Sequence, residues 1–266
     1  MPNAKIYLHE IIHIVGTGSE AYKRSTASLG LGRSDGGAPL VGTFQQSGST
    51  GDWPKVVNLW EIGGWDDWAR SLEKQYTRSS GQAPALKRWW TDATAFRSGG
   101  FDRILEAAPF SPTRAEVLER GVRGLACLQE IATTLPGRAE DYLEEVERHW
   151  RKPASRRGLV LLGAYTTAMR DDEAVLLWCL PGFADFTRHL SDFCTSAATR
   201  RWAERARRLR VSYRETLLVP SPWCVVHPDF RDAPPDSHGK SGAPRTRGAA
   251  RRAARPAVGP DESHRS

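Results

Sequence analysis

Residues 55–72 read KVVNLWEIGGWDDWARSL and residues 173–190 read EAVLLWCLPGFADFTRHL, one segment written twice in the same chain. Seven of the 18 aligned positions are identical: Val57/Val175, Leu59/Leu177, Trp60/Trp178, Gly64/Gly182, Asp67/Asp185, Arg70/Arg188 and Leu72/Leu190. Ordinary residue frequencies would supply about one or two. Three further pairs, Ile62/Leu180, Trp65/Phe183 and Trp68/Phe186, exchange one bulky apolar group for another. A repeat of this length decides the architecture before any single residue is interpreted.

Four more segments align in the same order. Leu8–Ile11 faces Leu128–Ile131, with Tyr22 and Tyr142 at the same offset of 120. Leu40–Phe44 faces Leu161–Tyr165, Ala85–Arg97 faces Ala198–Arg210, and Arg103–Pro109 faces Thr216–Pro222. Each copy reads as β-α-β-β-α-β. Runs rich in Ile, Val and Leu mark the strands, and Gly16-Thr17-Gly18 and Pro136-Gly137 stop the first strand of each copy before a helix. Gly63-Gly64 and Pro181-Gly182 end the third strands, and an Arg-rich helix over about 200–214 precedes the last strand. The segment from Arg97 to Arg103 is expected to turn the chain into the fourth strand of the first copy. This is the ferredoxin-like order. The fold class expected is therefore α+β, two tandem ferredoxin-like units whose bare sheet faces pack together as an intramolecular α+β barrel. The units are drawn at 1–115 and 116–230, followed by a tail at 231–266.

Composition narrows the classes of function. The chain carries a formal charge of +7, but residues 231–266 hold eight Lys/Arg against four Asp/Glu, so the first 230 residues carry only +3. The tail is rich in Pro, Gly, Ser and Arg and poor in large apolar groups, and it is expected to be disordered. The Arg-rich helix places Trp202, Ala206 and Leu209 on one face, so its arginines read as the wet side. Neither basic stretch interleaves aromatic stacking residues, and nucleic acid is not an expected partner. Four cysteines, Cys127, Cys179, Cys194 and Cys224, show no metal or disulfide spacing. No signal peptide and no membrane span are read, which points to a reduced, cytoplasmic protein. No cofactor and no metal are expected. His149 and His189 fall on helices, but nothing around them spells a heme site.

The polar anomaly is the first strand. Tyr7, His9, Ile11 and His13 share a face by the period of two, and two histidines on a barrel wall can supply acid–base groups near neutral pH. The second copy carries Gln129 and Thr133 there, so the fold does not require the pair. The alternative is that both are hydrogen-bonded wall residues. Glu10 and Glu130 recur on the opposite face and need partners when buried, with Arg70 and Arg188 as the candidates. Trp60 and Trp178 read either as core wedges or as walls of an apolar pocket.

Gln129-Glu130-Ile131, Pro136-Gly137, Leu162-Gly163-Ala164-Tyr165 and Leu177-Trp178, matched in the first copy by His9-Glu10-Ile11, Val41-Gly42-Thr43-Phe44 and Leu59-Trp60, resemble the NIPSNAP family of ferredoxin-like α+β barrel proteins. The resemblance covers about 5–223. Where that family carries an arginine after the glutamate and a histidine before Leu-Trp, this chain has Ile12 or Ala132 and Asn58 or Leu176. The resemblance implies the barrel and no one reaction. The leading functional expectation is a barrel pocket that binds or transforms a small hydrophobic metabolite, in the setting of secondary metabolism. His9 and His13 would be its catalytic groups, and Tyr7, Asn58, Trp60, Gln129 and Trp178 would line it. A homodimer is the further assembly considered. The alternative is a non-enzymatic interaction module tethered by its basic tail.

Overall fold

The computed structural model describes residues 2–31, 38–76 and 84–232. Most of the basic tail, and the side chain of Cys194, lie outside them. The first half runs β1 (Ile6–Ile14), α1 (Ser19–Leu31), β2 (Leu40–Gln46), β3 (Lys55–Ile62), α2 (Trp65–Tyr76), α3 (Pro84–Ala93) and β4 (Arg97–Ala107). A short helix, α4 (Arg114–Glu119), links the halves. It starts in a capping box, with the Thr113 side chain accepting from the Glu116 N–H and the Glu116 carboxylate accepting from the Thr113 N–H. The second half has β5 (Ala126–Thr134), α5 (Ala139–Glu145), which continues through a π-helical turn over Val146–Trp150 into α6 (Arg151–Ser155), then β6 (Val160–Thr167), β7 (Glu173–Leu180), α7 (Phe183–Thr195), α8 (Ala197–Ala206) and β8 (Arg210–Pro220).

The strands close into one barrel in the order β1-β3-β2-β8-β5-β7-β6-β4, every neighbour antiparallel. Each half contributes the ferredoxin-like order 4-1-3-2, and the seams are β2 with β8 and β4 with β6. Antiparallel pairing round the ring makes β1 and β5, four places apart, run in the same sense. The halves are therefore related by a pseudo-twofold along the barrel axis. Closure removes the open edges that a single four-stranded sheet would expose.

The ladder registers match the sequence repeat residue by residue. His9 pairs with Leu59 and Arg103, while Gln129 pairs with Leu177 and Thr216. Even the irregularities recur, at Leu40/Gly42 and Leu161/Gly163 on the second strands and at His13/Ile14 and Thr133/Thr134 on the first. The stretch from Arg97 to Arg103, expected as a turn, is instead the first part of β4, because Gly99 and Phe101 stay in register with β1. Likewise the Arg-rich helix stops at Ala206, and Arg210 begins a strand. Trp202, Ala206 and Leu209 are buried, as their spacing predicts.

Strand alternation sends one set of side chains into the lumen and the other toward the helices. Tyr7, Phe44, Val57, Leu59, Leu105, Cys127, Tyr165, Val175, Leu177, Cys179 and Leu218 form the lumen core. Residues of α4 and of 221–230, among them Val117, Cys224, Val225 and Val226, pack onto that same cluster and close the end where β1 and β5 begin. On the outside, Tyr142, Leu143, Trp150, Trp178, Phe186 and Trp202 fill the helix–sheet layer of the second half. The first half splits the corresponding layer into three smaller clusters. Among the described residues no helix is long and apolar enough to cross a membrane.

Candidate functional site

The residues singled out from the sequence fall into three places. Tyr7, His9 and Gln129 point into the lumen, and His13 stands exposed near the end of β1. Asn58, Trp60 and Trp178 lie on the opposite faces of their strands, under the helices, with Asn58 and Trp60 in the first half and Trp178 in the second. A single pocket lined by all of them is ruled out by the alternation of side chains along a strand. His9 is opposite Leu59, so Asn58 and Trp60, one residue to either side, face away from it.

The lumen is packed. A cavity of about 10 Å³ lies between His9, Gln129 and a ring of apolar residues including Phe44, Leu59 and Tyr165. That is room for about one water. A hydrophobic metabolite does not fit there. His9 Nε2 meets Gln129 Oε1 at 2.8 Å, and its Nδ1 lies 3.1 Å from Arg103 Nη1. Arg103 in turn sits 3.1 Å from Glu173, which accepts from Thr167 Oγ1 at 2.7 Å. Burial, reinforced by the Arg103 charge, pushes the His9 pKa down to about 3. The imidazole is therefore neutral, accepting from Arg103 through Nδ1 and donating to Gln129 through Nε2. Tyr7 donates to Glu61 at 2.9 Å, and burial lifts its pKa far above the usual phenol range. This is a buried, hydrogen-bonded wall network around a neutral imidazole rather than a poised acid–base pair.

The helix–sheet layer of the first half is different. Glu10 Oε2 accepts from Trp60 Nε1 at 2.6 Å and from Asn58 Nδ2 at 3.1 Å, and Asn58 Nδ2 also donates to Tyr22 Oη at 3.2 Å. Burial raises the pKa of Glu10 against the pull of the Trp60 and Asn58 donors, and it raises that of Asp102, its neighbour on β4. Asn58 is completely buried, yet its Oδ1 has no hydrogen-bond partner among the described residues. The same holds for Arg97 Nη1, which is buried while the guanidinium stacks 4.3 Å over Trp90. Buried groups of this kind are normally satisfied. The cover is also thinner here. No residue of α2 is buried, whereas its counterpart α7 buries Phe186 and His189. Leu8 and Ile62, and Trp68 of α2 itself, remain half-buried.

The second half provides the comparison. Glu130 is held by Tyr142 Oη and by Arg210 Nη1, the latter at 3.2 Å, and Arg210 also donates to Tyr142 Oη at 2.9 Å. Burial and the adjacent Glu215 outweigh the favourable Arg210 and lift Glu130 to about 7. Arg70 and Arg188, expected as partners of the two glutamates, are not. They pair with Asp67 and Asp185 on their own helices, where they face solvent and cannot reach the sheet. The true partner, Arg210, comes from β8. Its counterpart Arg97 and the tyrosine pair Tyr22/Tyr142 stand in the sequence repeat, and that recurrence was the available signal. Arg103 and Glu173 carried none, because neither recurs in the other half.

Neither any family model nor any curated protein sequence matches this chain. Solved structures do. An anthrone oxidase-like protein is 8% identical over 82% of this chain and 92% of its own, with a TM-score of 0.58. A provisionally assigned monooxygenase from Lactobacillus acidophilus NCFM is 9% identical over 82% of this chain and 94% of its own, with a TM-score of 0.56. An uncharacterised NIPSNAP domain protein from Burkholderia xenovorans is 12% identical over 38% of this chain and 98% of its own, with a TM-score of 0.34. At these identities the likeness concerns the fold, and the last is too slight to carry an argument.

Proposed function

We propose that this NIPSNAP-like barrel binds a small aromatic molecule between the sheet and helices of its first half, with Glu10 as a general base toward it. The observation that carries this reading is the asymmetry of the two layers. Asn58 stands where the second half has Leu176, and around it lie a carboxylate, an unpartnered acceptor and an unpartnered donor, all buried. Trp60, Trp68 and Leu8 would supply the apolar walls, as ligand sites combine an apolar lining with a few placed polar groups.

The chemistry follows from the carboxylate. Glu10 is held in one orientation by Trp60 and Asn58, and its burial makes it a stronger base than a carboxylate in water. A phenol, or a carbon acid between a carbonyl and aryl rings, can deliver a proton to it, while Asn58 Oδ1 accepts from a substrate hydroxyl. The fold is shared with an anthrone oxidase-like protein, and anthrone is such a carbon acid. Once deprotonated it reacts with dioxygen, its CH₂ becoming a carbonyl with release of water. The sequence-based reading of His9 and His13 as catalytic is replaced in this proposal by Glu10.

Tryptophan fluorescence titrated with a hydroxyl-bearing anthrone, which offers Asn58 Oδ1 a phenolic donor as well as Glu10 an acidic CH₂, tests the proposal, with oxygen uptake as the second readout. Saturable quenching is expected in the wild type, a loss of affinity of about tenfold or more in Asn58→Leu, and a loss of uptake with retained binding in Glu10→Gln. Absence of saturable binding, or variants that behave as wild type, would overturn it.

A further inference from the structure

We infer that Arg97, stacked on Trp90, is an oxyanion-binding group of the first half, and that the molecule bound there carries a carboxylate or an enolate or phenolate oxygen. This rests on the proposed site and adds the charge of its ligand.

The two halves show why. In the second, Arg210 bridges Glu130 and Tyr142. In the first, that bridge is made by Asn58 Nδ2, which donates to Glu10 and to Tyr22. Leu176, the residue equivalent to Asn58, has no donor to offer, so Arg210 is needed there. Arg97 occupies the register position of Arg210, paired with Ile14 as Arg210 is with Thr134. Asn58 thus relieves Arg97 of its structural duty. The freed guanidinium leaves Nη1 buried and unpartnered, within electrostatic reach of Glu10, Tyr22 and Asp102.

A second substitution holds it there. Trp90 falls at the position of Ala203 in the repeat, and its indole supports the Arg97 guanidinium at 4.3 Å, whereas Arg210 stacks 3.5 Å over Tyr213, a strand residue whose first-half counterpart is Gly100. A buried guanidinium N–H left without an acceptor is costly, and the acceptors that suit its planar donors best are carboxylate and other anionic oxygens. Such a group beside a general base stabilises the negative charge that proton removal creates on the substrate oxygen.

The experiment compares 2-naphthoate with neutral 2-naphthylmethanol, two ligands of the same ring system, by fluorescence titration of the full chain. Wild type should bind the anion at least tenfold more tightly. Arg97→Gln should abolish that preference while leaving the affinity for the alcohol unchanged. Asn58→Leu, which returns Arg97 to Glu10 and Tyr22 on the pattern of the second half, should also erase the preference. Circular dichroism confirms that each variant is folded. If both ligands bind and Arg97→Gln keeps the preference for the anion, or if wild type shows none, the role of Arg97 is overturned while the proposed site stands. If neither ligand saturates, both fall.

Discussion

His9 and Gln129 occupy the same position in the two halves and meet across the barrel at 2.8 Å, so the pseudo-twofold axis passes between them. The contact joins the first strand of one unit to the first strand of the other through the lumen. It also breaks the symmetry, because only the histidine side reaches an arginine, Arg103.

The lowered pKa of His9 gives the first prediction. In the unfolded chain the imidazole protonates near 6.5, but in the barrel it stays neutral down to about 3. The folded state therefore binds fewer protons across that window, and stability falls as pH drops through it, by up to about 1.4 kcal/mol per pH unit. His9→Gln places in the first half the residue found in the second and should remove most of this acid sensitivity. Urea denaturation midpoints of wild type and variant between pH 6.5 and 4 will diverge if this is right and run parallel if it is not.

Glu130 predicts the opposite sign. Its pKa rises from an ordinary 4.5 to about 7 on folding, so the folded state holds a proton that the unfolded chain has released. The associated stabilisation is present below pH 4.5 and lost as pH rises through 7, about 3 kcal/mol in all. Glu130→Gln keeps a neutral, hydrogen-bonding side chain and should show a flatter profile over pH 4.5–7. A pH slope in the variant equal to that of wild type would contradict the assignment.

Packing at the repeated bulge supplies the third. A Cβ built at Gly163 would lie 2.0 Å from Tyr165 Oη, and one at Gly42 would lie 2.5 Å from Cys224 Sγ. Both glycines face a crowded lumen that has no spare volume. Gly163→Ala should destabilise the barrel by about 1–3 kcal/mol, lowering Tm by about 2–4 °C per kcal/mol. Tyr165→Phe in the same chain should recover only part of that loss, because the ring itself stands 2.3 Å from the added methyl. Full recovery, or no loss in the single variant, would show that the lumen yields.

Much of the architecture was legible because it is written twice. The offsets between the copies, 118 at Leu59/Leu177, 120 at His9/Gln129 and 113 at Arg97/Arg210, reappear as the registers of the two half-barrels. The site was less legible. Tyr7, His9 and His13 do share one face, yet Tyr7 and His9 are tied into a hydrogen-bonded network of a packed lumen and His13 stands exposed beyond it. Asn58 and Trp60 were read on a common face, yet as part of the lumen pocket rather than of the layer beneath α1 and α2.

By itself, the sequence determined the order of the elements, the pairs of equivalent residues and the sets that share a strand face. Those properties follow from local period and from the repeat. Tertiary structure alone decided which face turned inward, because both faces of these strands are apolar enough to be buried. It also decided that Glu10 would be held by Asn58 and Glu130 by Arg210. Partner choice depends on which donors the folded chain brings within about 3 Å of a buried carboxylate, and those donors lie 48 and 80 residues away along the chain.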